Sequence, residues 1–308
     1  MPGKIVVVGS SNIDLIMKME RLPRPGETVT EAEFAQVFGG KGANQAVGAA
    51  RAGGNVAFVS CVGDDAYGGQ VIENLSKDGI DTRHVFQEEG VASGTALIMI
   101  DASGENCISV APGANYRLTP AHVDRARDVI EEAAVVIAQC EILPETLDHV
   151  IDLGFRLGKL VLLNLAPARP LGDASLAKLG ALAVNETEAE FLTGLPVKTD
   201  AEVEAAAEAL LGRGPKIVIV TLGARGAWVA VEGHRGLVPG FEVEPTDTTA
   251  AGDVHCGALA VGLVDGLALL DAVAFANAAA ALSVTKLGAQ PSALSRGEVD
   301  ARLQARRT

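Results

Sequence analysis

Aromatic side chains make up only 4% of the 308 residues, with one Trp and two Tyr. That scarcity excludes a stacking platform for nucleic-acid bases. Positive charge is also short: 25 Lys and Arg stand against 39 Asp and Glu, a formal net charge of −14. No basic stripe interrupts the acidic balance, so nucleic acid and anionic membranes are excluded as partners. A small phosphate ester stays open, because backbone N–H groups and a metal ion can neutralise it without basic side chains. The four cysteines, Cys61, Cys107, Cys140 and Cys256, include no CxxC pair. They read as reduced and mostly buried thiols, not as a disulfide framework or a zinc site. No apolar run approaches the length of a membrane span. The Ile5–Val8 run is too short for the apolar core of a signal peptide. The expectation is a soluble, cytoplasmic protein.

What the chain has in quantity is glycine, 35 residues, and 48% hydrophobic content with 21% charge. Such a composition suits a globular α/β protein. Short β-branched runs (Ile5–Val8, Val56–Val62, Val135–Ala138, Leu160–Leu163, Ala181–Val184, Ile217–Val220) predict buried parallel strands. Segments of helical spacing lie between them: Gly42–Ala52, Gly68–Asp78, Pro120–Glu132, Glu145–Leu157 and Ala201–Gly212. Ala-rich helices follow over Ala251–Val264 and Asp271–Thr285. The alternation predicts a doubly wound, mostly parallel sheet flanked by helices. Two stretches break the rhythm. Residues 14–38 carry no helical pattern, and Thr95–Asp101 with Asn106–Val110 flanks a Ser103-Gly104-Glu105 turn and reads as a hairpin. We expect one domain over residues 1–308, with a small β-sheet lid formed by about 14–38 and 93–111.

Several constellations are able to carry chemistry. Asp247-Thr-Thr-Ala-Ala-Gly-Asp253 opens an Ala-rich helix, and a helix N-terminus is ready for an anion. The small Ala250, Ala251 and Gly252 let a phosphate approach that backbone, and Asp253 is placed to take a proton from a hydroxyl. From the residues alone, Asp253 fits equally well as an acidic residue favoured at any helix start. Gly39-Gly-Lys-Gly-Ala-Asn44 is a second glycine-rich turn entering a helix. It is not a P-loop, since Gly42 and not Ser or Thr follows Lys41. No GxGxxG follows the first strand either, which disfavours a dinucleotide dehydrogenase. Asn12 and Asp14 follow that strand and point to one side of an extended segment, suiting vicinal hydroxyls or an ordinary Asx turn. Asn185-Glu-Thr-Glu188 and Thr221-Leu-Gly-Ala-Arg-Gly226 each follow a strand and fit capping or turn chemistry as well as a nucleotide.

Taken together and in order, these segments resemble the ribokinase family of carbohydrate kinases over almost the whole chain. The resemblance rests on GGKGANQAVGAARAG (Gly39–Gly53) and DTTAAGD (Asp247–Asp253). SSNID (Ser10–Asp14), NETEAE (Asn185–Glu190), TLGARG (Thr221–Gly226) and KLGAQPS (Lys286–Ser292) support it. It implies transfer of a phosphoryl group from ATP to the O5 hydroxyl of a sugar such as D-ribose, with Mg²⁺ and an activating K⁺. The same fold and chemistry serve 2-deoxyribose, a nucleoside or a keto-sugar as alternatives. On this resemblance Asn12, Asp14, Gly40, Lys41, Gly42, Asn44 and Glu141 hold the sugar, with Ala96, Ile98 and Val110 facing it from the lid. Asp253 is the general base, and Ala250, Ala251 and Gly252 form the anion hole with it. Asn185, Thr221, Gly223, Arg225, Gly226, Gly252 and Asn277 contact ATP, and Glu188 places hydrated Mg²⁺. Asp247, Thr249, Ser283, Lys286, Gly288 and Ser292 surround the monovalent cation. A homodimer through the lid is also implied. The chain departs from the family at Val254-His255-Cys256, where Thr, Ser or Ala, then Phe, then a small Asn-like residue is usual. We read the three as packing substitutions on the first helical turn. A binding protein with weakened catalysis is the competing reading.

Overall fold

The computed structural model describes residues 3–307. In chain order the strands are β1 (Lys4–Val8), β2 (Asn12–Lys18), β3 (Glu33–Gly39), β4 (Asn55–Gly63), β5 (Asp81–Glu88), β6 (Thr95–Ile100) and β7 (Asn106–Ala111). They continue with β8 (Ala133–Ala138), β9 (Leu160–Asn164), β10 (Ala181–Asn185), β11 (Ile217–Thr221), β12 (Gly226–Val231) and β13 (His234–Pro239). The helices are α1 (Lys41–Arg51), α2 (Ala66–Lys77), α3 (Pro120–Arg125), α4 (Arg127–Glu132), α5 (Pro144–Arg156) and α6 (Asp173–Leu176). After them come α7 (Glu186–Thr193), α8 (Asp200–Gly212), α9 (Ala251–Val264), α10 (Leu269–Ser283) and α11 (Arg296–Arg307).

Nine strands form one sheet in the order β13-β12-β11-β10-β9-β8-β1-β4-β5, with parallel pairing throughout except that β12 runs antiparallel to both β11 and β13. The strict alternation of a β-strand sorts its apolar residues into two cores. Ile5, Phe58, Leu162, Ala183 and Ile219 face α1, α9 and α10, whose buried residues share their cluster. Val6, Val59, Leu163, Val184 and Val220 face α5 and α8 on the other side. The expected doubly wound sheet is therefore present. A second, four-stranded sheet in the order β3-β2-β6-β7 is built from the two segments that break the α/β rhythm.

Differences from expectation have local causes. Pro120–Glu132 is two short helices, because Ala126 (φ −98, ψ 14) leaves helical geometry and its N–H bonds back to both His122 and Val123 carbonyls. β5 went unread because its sequence, DTRHVFQE, is polar and at a sheet edge, where one buried face suffices. The antiparallel pair β12 and β13 and the C-terminal α11 were also unread.

Candidate functional site

The carboxyl ends of the parallel strands gather the polar residues. Ser10 follows β1, Gln139 and Glu141 follow β8, and Asn164, Asn185 and Thr221 end β9, β10 and β11. Above them α9 begins at Ala250, a non-glycine residue at φ 60, with no side chain capping the helix. The first-turn N–H groups are thus left to a ligand, in the manner of an anion site.

Asp253, in that turn, is 5% exposed. Its Oδ2 accepts from Asn44 Nδ2 at 3.0 Å and its Oδ1 from Gln45 Nε2 at 2.9 Å. Gln45 is held in turn: its Nε2 also reaches Asn164 Oδ1 (3.1 Å), and its Oε1 accepts from Gln139 Nε2 at 2.6 Å. Burial raises the Asp253 carboxyl above its ordinary range, while Lys41 and the two amides pull it back down. A carboxylate so placed keeps a lone pair for a hydroxyl proton. Gln45, Gln139 and Asn164 escaped the sequence reading because their contacts join separate segments.

Gly40 (φ 86) starts the turn into α1, and any Cβ there would stand 2.6 Å from the Ser11 Cα. Gly42 is equally crowded, 2.6 Å from the Ser10 nitrogen, so its role is close packing of α1 against the end of β1. Glu141 Oε2 accepts from Ser10 Oγ (2.6 Å) and from the Lys41 backbone (3.0 Å). Burial works against the Lys41 ammonium, yet Asp253, Glu141 and Glu188 hold its pKa above the ordinary value. Asn12 accepts from Asn115 Nδ2 through its Oδ1 at 2.8 Å, and this leaves its own amide N–H₂ to donate. Asp14 lies against Gly39, where a Cβ would meet its carboxylate. Burial, with Glu141 adding, pushes the Asp14 carboxyl up to about 6. Ladder register puts Asp14, Ala96 and Val110 in one row, and Ile98, two residues on, shares their face. Val110 is half exposed there.

Two adjoining cavities flank the α9 N-terminus. The smaller, about 180 Å³, is lined by Lys41, Asn164, Glu188, Ala250 and Asp253 among others. The larger, about 540 Å³, is mostly apolar, with Phe241, Val243, Ala280, Ala281 and Val284 in its wall. It also takes in Gly223, Gly226, His255 and Asn277. Asn185, Thr221, Ala251 and Gly252 border both. Asn185 and Glu188 form a reciprocal capping box at the start of α7. Glu188 sits above its usual pKa through burial, against the Asn185 N–H and Lys41. Arg225 does not line the cavity; its guanidinium pairs with Asp200 (2.7 Å) and Glu186 (3.1 Å).

Val254 and Cys256 join the core, as packing substitutions should. His255 is different. It lies in the wall of the larger cavity, with Nε2 3.1 Å from Asn277 Oδ1 and burial lowering its pKa to about 4. Asn277 Nδ2 donates to the Val238 and Pro239 carbonyls, so the neutral imidazole is the donor to Oδ1. The loops of the expected cation site also meet: Asp247 accepts from Thr249 and, at 2.8 Å, from the Gly288 N–H. These bonds outweigh burial and keep the Asp247 carboxyl low. Ser283 and Ser292 donate to nearby carbonyls, and the Lys286 ammonium turns to Glu298.

Ligands of open α/β sheets bind at this end of the strands, and a polar compartment opening into an apolar one serves an enzyme with two small-molecule substrates. The relatives make the class particular. The profile of the pfkB family carbohydrate kinases matches residues 2–296, and the chain belongs to that family. It is a sugar kinase. It is 38% identical to the ribokinase of Haemophilus influenzae over 96% of both chains. It is 39% identical to the deoxyribokinase of Salmonella typhi over 94% of both. The solved ribokinase of Arabidopsis thaliana complexed with ribose and ATP superposes with a TM-score of 0.94 at 32% identity, over 99% of each chain.

Proposed function

We propose that this chain transfers the γ-phosphoryl group of ATP to O5 of D-ribose. The observation that carries this reading is the placement of Asp253: a buried carboxylate between two amides, one turn into an uncapped helix where the two cavities meet. Asp253 takes the O5 proton, and the N–H groups of Ala250 to Asp253 hold the transferring phosphoryl. Phosphoryl transfer passes through a loose transition state, so alignment and charge stabilisation do most of the work. The sugar sits against Asn12, Asp14, Gly40, Lys41, Asn44 and Glu141, under Ala96, Ile98 and Val110. The small sheet is its lid and keeps water from the reaction. The nucleotide base occupies the apolar cavity beside Asn277. Its phosphates run past Asn185, Thr221, Gly223 and Gly226. Arg225 contributes only through its backbone.

Mg²⁺ fits near Glu188, a buried carboxylate lining the smaller cavity with only one oxygen in the capping box. It would neutralise phosphate charge. K⁺ fits the loops joined by Asp247, an ionised carboxylate amid backbone carbonyls and two serine hydroxyls. Among the described residues no helix is long and apolar enough to cross a membrane. Ribose is favoured over 2-deoxyribose by Asn12, whose free amide hydrogens suit a 2-hydroxyl oxygen.

The test is ADP release with D-ribose, ATP and Mg²⁺, with and without K⁺, beside Asp253→Ala. Ribose-dependent turnover that rises with K⁺ and falls ~10²–10⁴-fold in the variant is expected. A kcat/KM higher for deoxyribose than for ribose would move the substrate and keep the mechanism.

A further inference from the structure

Apart from this cleft, three residues from distant segments meet on the other side of the sheet. Ladder register pairs Cys61 with Phe86 and Gly63 with Glu88, so Cys61 and Glu88 share one face of the β4–β5 edge. Helix α3 lies over that face, and the His122 ring stacks on Phe86 with centroids 4.7 Å apart. Cys61 Sγ, a Glu88 oxygen and a His122 ring nitrogen all lie within 4.8 Å of one another. His122 Nε2 is 3.2 Å from Glu88 Oε1. We propose that Cys61, Glu88 and His122 form a binding site for a borderline divalent cation of the zinc type.

The donor set is one thiolate, one imidazole and one carboxylate, which such an ion accepts in tetrahedral geometry with water in the fourth place. Ordinary bond lengths put donor atoms roughly 3.3–3.6 Å apart, so His122 and Glu88 already stand at ligating separation and only the Cys61 sulfur has to close in. Glu88 is partly exposed and gives the ion and its water a way in. The far ring nitrogen of His122 lies 3.0 Å from Thr119 Oγ1. Nδ1 also accepts from the Thr119 N–H at 3.2 Å, so freeing Nε2 for the metal gives up that capping bond, and the Thr119 hydroxyl takes the Nδ1 proton in its place. The protons balance. His122 stays neutral and moves its proton from Nε2 to Nδ1, while Cys61 exchanges S–H for S–metal and releases one H⁺. Burial, with Glu88 adding, holds the free thiol up at about 12, and Arg125 opposes both. Binding therefore strengthens as pH rises. Sequence spacing hides the set because each ligand comes from a different element. The bound ion would pin the edge strand β5 to α3.

The probe is Co²⁺ titrated into the full chain carrying Cys107→Ser, which removes the exposed thiol. We expect a thiolate-to-cobalt charge-transfer band that saturates at one ion per chain, releases about one proton and is displaced by Zn²⁺. Cys61→Ser should abolish the band, and Glu88→Gln or His122→Ala should weaken binding at least tenfold. Unchanged sugar phosphorylation in the Cys61→Ser chain would show that it folds. Cys256 also lines the cavity of the Mg²⁺ position, so loss of the band in Cys61→Ser is what tells the two sites apart. No band, or a band that persists in Cys61→Ser, would overturn the proposal.

Discussion

Asp253 is braced by neutral amides on both oxygens, and the nearest cation, Lys41, is shared with Glu141 and Glu188. Burial raises its pKa and donors to its charged form lower it, so in the proposed mechanism these amides keep it available as a base. Gln45 is the more confined donor, since Gln139 fixes its carbonyl end. Removing a donor that lowers the pKa lets it rise further, and a base must be ionised to act. Gln45→Leu should therefore move the acid limb of the kcat/KM profile to higher pH by about one unit or more. A lower kcat with an unmoved limb would reduce Gln45 to a packing role. Asp253 was visible in the sequence as a motif residue. Its bracing was not, because a glutamine inside a glycine-rich helix carries no sign of which strand end it will meet.

At the scale of elements, α1 and α9 are drawn together by small residues. A Cβ on Gly257 would stand 2.6 Å from the Gln45 carbonyl oxygen and 2.7 Å from the Ala49 nitrogen. Gly257→Ala must push α1 away, and α1 carries both Asn44 and Gln45. We expect a loss of ~1–3 kcal/mol in urea unfolding with a kcat fall of about 10–100-fold. Full kcat with lost stability would show that the helices yield elsewhere. The strands with continuous β-branched runs were legible because burial on both faces demands such runs. β5 was not, as an edge strand needs only one apolar face; β12 is buried on both faces, but its small Gly226, Ala227 and Ala230 leave no β-branched run to read. The break at Ala126 had no glycine or proline to announce it.

For the whole molecule, the small sheet stands out from the nine-stranded one with large apolar side chains in water. Phe34 (62% exposed), Leu97 (53%) and Met17 (36%) stand on one face of it, opposite the face that carries Asp14 and Val110. Such a patch, with β3 and β7 as open edges, marks an interaction surface. We propose that two copies pair through it. Sedimentation should show a dimer that Leu97→Asp converts to monomer; a monomeric native chain would refute the pairing. The α9 turn stands in contrast to this cover. Ala250 holds a left-handed conformation that alanine disfavours. Such strain is held in place by the packing of α9 against α1 and α10. In the proposed reaction, a phosphate would therefore meet a backbone that the fold has already ordered.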